Sequence, residues 1–161
     1  MNTGKALILL ALVFLAGCEP RDRTPGTWLT GDLVETLPED WSFIAEHQEI
    51  FVETYPWYGI PFSVTTVLGT RDGKLYVPSI YDEELPFPGT KYWNSVIASN
   101  PNVRLKIGEK LYPMRAVHVQ TGAEHLLGLQ ALADKYDSWR TWMSDPDSGP
   151  HFVIIRMEPR G

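Results

Sequence analysis

Cysteine is nearly missing from this sequence: Cys18 is the one thiol in 161 residues. A single thiol cannot form an internal disulfide, so any fold stands without a covalent staple. Basic clusters are missing too. Lys and Arg number 14 against 20 Asp and Glu, the formal net charge is −6, and no block of cations stands out. That excludes a polyanion-binding surface and sets nucleic acid aside as a partner. There is no Gly-rich nucleotide fingerprint, and no serine sits in a nucleophile-elbow context, so hydrolase chemistry has no support. His47, His118, His125 and His151 lack the i, i+4 spacing and the neighbouring Cys or carboxylate pattern of a zinc site. Scattered polar or partly buried imidazoles account for them.

Long apolar runs are also lacking. The longest, "ALILLALVFLA" at 6–16, follows the short positive start "MNTGK" and is too brief to span a bilayer as a mature helix. It ends in Leu15-Ala16-Gly17-Cys18, which resembles the lipobox of bacterial lipoproteins. The resemblance implies cleavage before Cys18, a diacylglyceryl thioether on its sulfur and acylation of the new amino end. Several acyl chains on one residue give lasting attachment where one would be marginal. Residues 1–17 are then a signal peptide and 18–30 a tether, with "EPRDRTPGT" carrying charge, Pro and Gly as a spacer requires. Glu19 after the cysteine favours the outer membrane over the inner, facing the periplasm. No twin arginine precedes the run, which points to Sec export of an unfolded chain.

What remains, 31–161, is long enough for one core and reads as one domain. In "TLPEDWSFIAEH" Thr36 offers a cap and Pro38 a first-turn residue, predicting a short helix with Trp41 and Ile44 on its apolar edge. "EIFVETY", "PFSVTTVLG" and "KLYVPS" are rich in β-branched and aromatic residues and predict strands. Asp72-Gly73 suits a tight hairpin turn before the third. After the acidic, Pro-rich "IYDEELPFPGT" comes a helix stopped by Pro101, with Trp93, Val96 and Ile97 inward. "NVRLKIGEKLYPMRAVHV" is a second hairpin turning at Gly108-Glu109, in which Pro113 argues for an edge or bulge. Thr121 and Glu124 form a capping box for an amphipathic helix, and "HFVIIRMEP" closes the chain as a strand. Trp57-Tyr58, Trp139 and Trp142 could line a ring-binding groove; core and dimer packing is the favoured reading. Six strands joined by hairpins suffice for a small antiparallel barrel.

At "KLYVPS…GTKYWNSVIASNPNVRLKIGEKLYPMRAV" the order and residues resemble the pyridoxamine-phosphate-oxidase-like split barrel, a mainly β, FMN-binding fold that includes deazaflavin-dependent nitroreductases. The likeness covers roughly 36–160, and "FVIIRMEP" is similar to the family's last strand. It implies a six-stranded antiparallel split barrel with flanking helices, a homodimer with the flavin ring between subunits, and hydride chemistry supplied by FMN or a deazaflavin. Carried over, Ser79 ends the third strand, while Thr90 and Lys91 begin the next helix and would hold the cofactor phosphate. Arg156 on the last strand would face the ring or phosphate of the partner subunit's site, and His125 would be the axial candidate in a haem-using barrel. Read alone, Lys91 is equally a solvated first-turn lysine. The resemblance thus implies an envelope lipoprotein with a flavin-dependent oxidoreductase domain acting on a small electron acceptor. Its alternative is a cofactor-free barrel acting as a binding or assembly module, favoured by Asp82, Glu83 and Glu84 upstream of the phosphate position.

Overall fold

The computed structural model describes residues 26–81 and 92–160. The expectations on Cys18, Thr90, Lys91 and the acidic 82–84 run lie outside the described residues. Six strands make the barrel wall: β2 (Ile50–Thr54), β3 (Phe62–Thr66), β5 (Lys74–Tyr81), β6 (Asn102–Ile107), β7 (Lys110–Val119) and β8 (His151–Pro159). Two short pieces, β1 (Asp32–Leu33) and β4 (Gly69–Arg71), bring the sheet to eight strands. The path runs β3-β2-β6-β7-β8-β5-β4, with every pair antiparallel except β1 on β7.

β3 and β4 correspond to the single expected strand "PFSVTTVLG", broken at Val67-Leu68. Leu68 turns fully inward there, and its backbone leaves the ladder. Side chains satisfy those groups: Lys135 donates to Leu68 O at 3.3 Å, and Leu68 N–H donates to the Tyr136 hydroxyl at 3.5 Å. The break lets one bent strand pair with β2 through its first half and β5 through its second. Between them, Thr66 Oγ1 donates to Pro78 O at 3.0 Å. Pro78 has no N–H, so it cannot offer β3 a full ladder at that point.

Both hairpins turn where the sequence placed them. Asp72 and Gly73 both have positive φ (52° and 71°), as a type I′ turn requires; at the other, Gly108 alone does (58°). Counting from that second turn, Pro113 opposite Arg104 falls at a position without ladder bonds, so its missing N–H faces away from β6. On that side β1 has ended at Leu111 and β8 begins at Met114. The proline fills a local edge.

Alternation then sorts side chains. Val52, Val77, Leu105, Met114, Ile155 and Met157 point inward into one buried cluster, which α1 (Tyr92–Ser99) joins with Trp93 and Ile97. Tyr76 and Ile154 point outward, against α2 (Ala123–Ala133) and α3 (Asp137–Ser144). Trp139 belongs to this outer cluster, with its ring centroid 5.0 Å from Trp142 and 4.9 Å from Phe152. These two tryptophans are packing residues, far along the chain and in a different cluster from exposed Trp57. The helix α2 comes close because Gly128 lacks a side chain: a Cβ there would lie 2.5 Å from Ile154 Cγ2.

Two local expectations are corrected. The predicted helix after Thr36 is only a 3-10 turn, Ser42–Glu46, and its first backbone donor goes to Asp40, which accepts from Ser42 N–H at 2.9 Å. Thr121 and Glu124 form no capping box. The cap is Gly122 at φ 91°, without a side-chain bond, because Glu124 is drawn to the cations Arg156 and Lys74. Contact with the barrel begins ahead of position 31: Gly26 pairs with Ser63, and Leu29 is buried.

Leu29 is held by an outward carboxylate. Glu53 is fully buried, takes two bonds from Arg104 (Nε to Oε1 2.8 Å, Nη2 to Oε2 3.0 Å) and accepts Leu29 N–H at 2.5 Å. The neighbouring Tyr55 phenol is pushed up to about 12 by burial first and by Glu53 second. Glu53→Ala is expected to cost about 3 kcal/mol in urea unfolding, since it leaves a guanidinium and a backbone donor without their partner. Glu53→Leu combined with Arg104→Met should recover much of that loss; no recovery would mean that the ion pair itself, not the unpaired charge, carries the stability.

Candidate functional site

Ser79 stands two residues beyond Val77 and four beyond Leu75, and so shares the inward face of β5. Its side chain is 2% exposed, and Oγ has no hydrogen-bond partner among the described residues. A buried hydroxyl without a partner is costly, and native proteins satisfy nearly all such groups. β5 ends two residues later, at Tyr81, where the connection carrying Thr90 and Lys91 begins. Ser79 is therefore a spare donor and acceptor at the strand end that leads into the expected phosphate segment.

The same inward parity on β7 runs Tyr112, Met114, Ala116, His118. His118 pairs with Ile155 of β8, whose other neighbour is Val77, while Ser79 pairs with Val153 two residues along β8. The imidazole and the hydroxyl thus lie on one face of three adjacent strands. His118 is half-buried, and burial pushes its pKa down, which keeps the ring neutral at pH 7. The residue was visible in "YPMRAVHV" as the last of four alternating positions, but its chemistry became readable only once the face was known.

Arg156 is placed apart. It shares the outward parity of Ile154, opposite Tyr76 and Val117. There its guanidinium donates to the carboxylates of Glu124 and Glu158, and Lys74 Nζ lies 3.2 Å from Glu124 Oε1. Arg156, first among several causes, holds the Glu124 carboxyl below the usual carboxylate range, and Glu124 in turn raises Arg156. Ser79 and Arg156 are on opposite faces of the wall, so one subunit does not bring them together. The other cations near the phosphate position are also engaged: Arg71 meets Asp134 at 2.6 Å.

Among the described residues no group of three or more His, Cys, Asp or Glu could hold a metal ion. His125 lies parallel to Phe152 with ring centroids 6.1 Å apart, packed on the outer helix layer, where burial lowers its pKa.

No family model matches the sequence, and no curated protein is similar to it. Solved structures are. A domain-swapped dimer is 16% identical over 70% of this chain and 81% of its own, with a TM-score of 0.56. The F420-H2-dependent reductase FDR-A is 15% identical over 70% of this chain and 95% of its own, at 0.52. HutZ, the heme storage protein of Vibrio cholerae, is 12% identical over 74% and 87%, at 0.51. At such identities the likeness establishes the architecture, and the chain has the split-barrel fold of pyridoxamine-phosphate-oxidase-like proteins that its sequence resemblance implied.

Both depressed imidazoles make stability depend on pH. A histidine whose folded pKa lies below its unfolded value binds fewer protons in the native state. Its contribution is complete above the unfolded value near 6.5 and is lost as pH falls through the folded one. Urea midpoints should drop between pH 7.5 and pH 5, and His118→Gln and His125→Gln should each flatten that slope. An unchanged slope in both variants would assign the acid sensitivity to other groups.

Proposed function

We propose that this chain is an envelope-anchored, flavin- or deazaflavin-binding split-barrel oxidoreductase that works as a homodimer on a small electron acceptor. The observation that carries the reading is the buried Ser79 hydroxyl, without a partner among the described residues, near the end of β5 and on the strand that leads into the segment carrying Thr90 and Lys91. A phosphate oxygen at that end would take the Ser79 O–H, while Thr90 and the Lys91 ammonium would supply a second donor and the charge. The bound cofactor would supply hydride or electron transfer. The protein's own work is to bind and orient it, with a neutral His118 on the same inward face able to donate or accept one hydrogen bond. Arg156 is not assigned to this set, since two carboxylates already hold it outside the barrel. An F420-H2-dependent reductase among the similar structures supports a flavin-like occupant, and a domain-swapped dimer supports a paired state.

A second reading, a cofactor-free barrel serving as a binding or assembly module, is favoured by one observation. Arg71, Lys74, Arg104, Arg140 and Arg156 each face a carboxylate of the chain itself. Titration of the full chain with FMN and with riboflavin separates the two. FMN should bind more tightly than riboflavin. Lys91→Ala or Ser79→Ala should each weaken FMN by about tenfold and leave riboflavin nearly unchanged. Equal affinity for the two flavins would remove the phosphate site and leave the second reading.

The anchor rests on Cys18. Radiolabelled fatty acid should enter the wild-type chain, and Cys18→Ser should abolish labelling and leave the precursor at full mass. Labelling that survives the substitution would place the lipid elsewhere.

A further inference from the structure

The loop between β2 and β3 reads "YPWYGIP", Tyr55 to Pro61, and has no charged residue. Its tip is unusually bare. Trp57 is 92% exposed, Tyr58 45% and Ile60 56%. The Trp57 and Tyr58 rings meet edge to face at 5.7 Å, so the two form one projecting aromatic unit. Few soluble proteins leave an entire indole in water, and adjacent exposed apolar side chains mark a contact surface. Trp and Tyr are the side chains that suit a boundary between apolar chains and polar headgroups.

The path of the chain says what this surface meets. Gly26 pairs with Ser63, the second residue of β3, immediately after the loop. Eight peptide steps separate Gly26 from Cys18, a reach of about 28 Å when fully extended. The strand registers put this loop at the Thr54/Val103 end of the β2–β6 pair, while the β6–β7 turn lies at the other end, beyond Ile107. Near that far turn lie three acids, Asp32, Glu46 and Glu109, against Lys106 and Lys110, with the Glu109 side chain 90% exposed. In a chain of net charge −6, carboxylates are repelled by anionic headgroups and an uncharged aromatic tip is not. The groove behind the tip, between Trp57 and α1, holds about 370 Å³ and is also lined without charge, by residues such as Tyr55, Tyr92, Ser95 and Asn100.

We propose that the Trp57-Tyr58-Ile60 tip is a second membrane contact that seats in the headgroup layer of the bilayer holding the Cys18 lipid and fixes which end of the barrel faces the membrane. The proposal rests on the anchor reading of Cys18. A lipid on a tether alone leaves the domain free to tumble; a second, shallow contact removes that freedom.

The test uses the full chain, matured and acylated, in vesicles of phosphatidylethanolamine and phosphatidylglycerol. Acylation blocks the only native thiol, so Tyr58→Cys or Glu109→Cys carries one environment-sensitive fluorophore. Mass spectrometry of the Cys18 peptide and flotation with the vesicles report the anchor independently. On adding lipids bearing a shallow nitroxide, the probe at 58 should shift to the blue and lose about half its emission, while the probe at 109 should be unaffected. Equal, weak quenching at both positions in an acylated, floating protein would overturn the seated tip and leave the anchor intact. A probe at 58 already shielded from aqueous iodide in lipid-free detergent solution, with cross-linked pairs, would assign the tip to a second copy of the chain and overturn the proposal. An unacylated Cys18 would overturn both readings.

Discussion

One half-buried ammonium gathers the backbone at the bend that closes the barrel. Lys135, at the junction of α2 and α3, donates to Ile44 O at 2.7 Å, His47 O at 2.5 Å and Leu68 O at 3.3 Å. Those carbonyls belong to the 3-10 turn, to the residue ending it and to the break between β3 and β4. None of the three has a place in a ladder; Ile44 O also accepts the His47 N–H and Leu68 O the Tyr136 hydroxyl, and Lys135 ties all three to one point. Burial lowers the Lys135 pKa, yet three oriented carbonyl dipoles favour the charged form that supplies three donors. That knot lies where the strand leaves β2 and turns to β5, and it holds the bend against the outer helices.

Closure by a bent strand, with Pro78 at the seam, explains why the two faces of β5 and β8 have separate work. Inside, Val77, Ile155 and Met157 make a dry core that ends at the Ser79 hydroxyl. Outside, the same strands carry Tyr76, Ile154 and Arg156 under α2. Gly69 and Gly128 permit that layer to sit close: a Cβ at 69 would lie 2.5 Å from Ala131 O. Arg156 then has Glu124 of α2 within reach and is used to tie helix to sheet. A single step in register separates a residue that could meet a ligand in the barrel from one that locks the outer layer.

That parity was the readable part of the sequence. Alternation in "NVRLKI" and "LYPMRAVHV", with Asp72-Gly73 and Gly108-Glu109 as turns, was enough to place the hairpins, and Pro113 correctly marked a local edge. Resemblance supplied the barrel they belong to. The failures have a common physical origin: each depended on a partner distant in the chain. Glu124 satisfies the spacing of a capping box, but two cations from other elements compete for its carboxylate. Thr36 and Pro38 advertise a helix that shrinks to a 3-10 turn, whose last carbonyls go to Lys135, 91 and 88 residues away. Arg156, expected at the partner subunit's site, stands on the outer face of β8, back to back with Ser79, a placement that only the register shows.

The charge pairs also bear on how the fold is held without a ligand, because the chain's own contacts then have to carry stability. Here Glu53 is neutralised by Arg104, and Glu124 by Arg156 and Lys74, all within one subunit. The inner core is apolar and needs no ligand to fill it. A wall completed in this way can leave the Ser79 hydroxyl, like those of Ser63 and Tyr76, without a partner among the described residues and keep the fold, because each such group costs only about 1–3 kcal/mol. A ligand that satisfied it would repay that cost on binding. Stability and ligand capture would then draw on different residues.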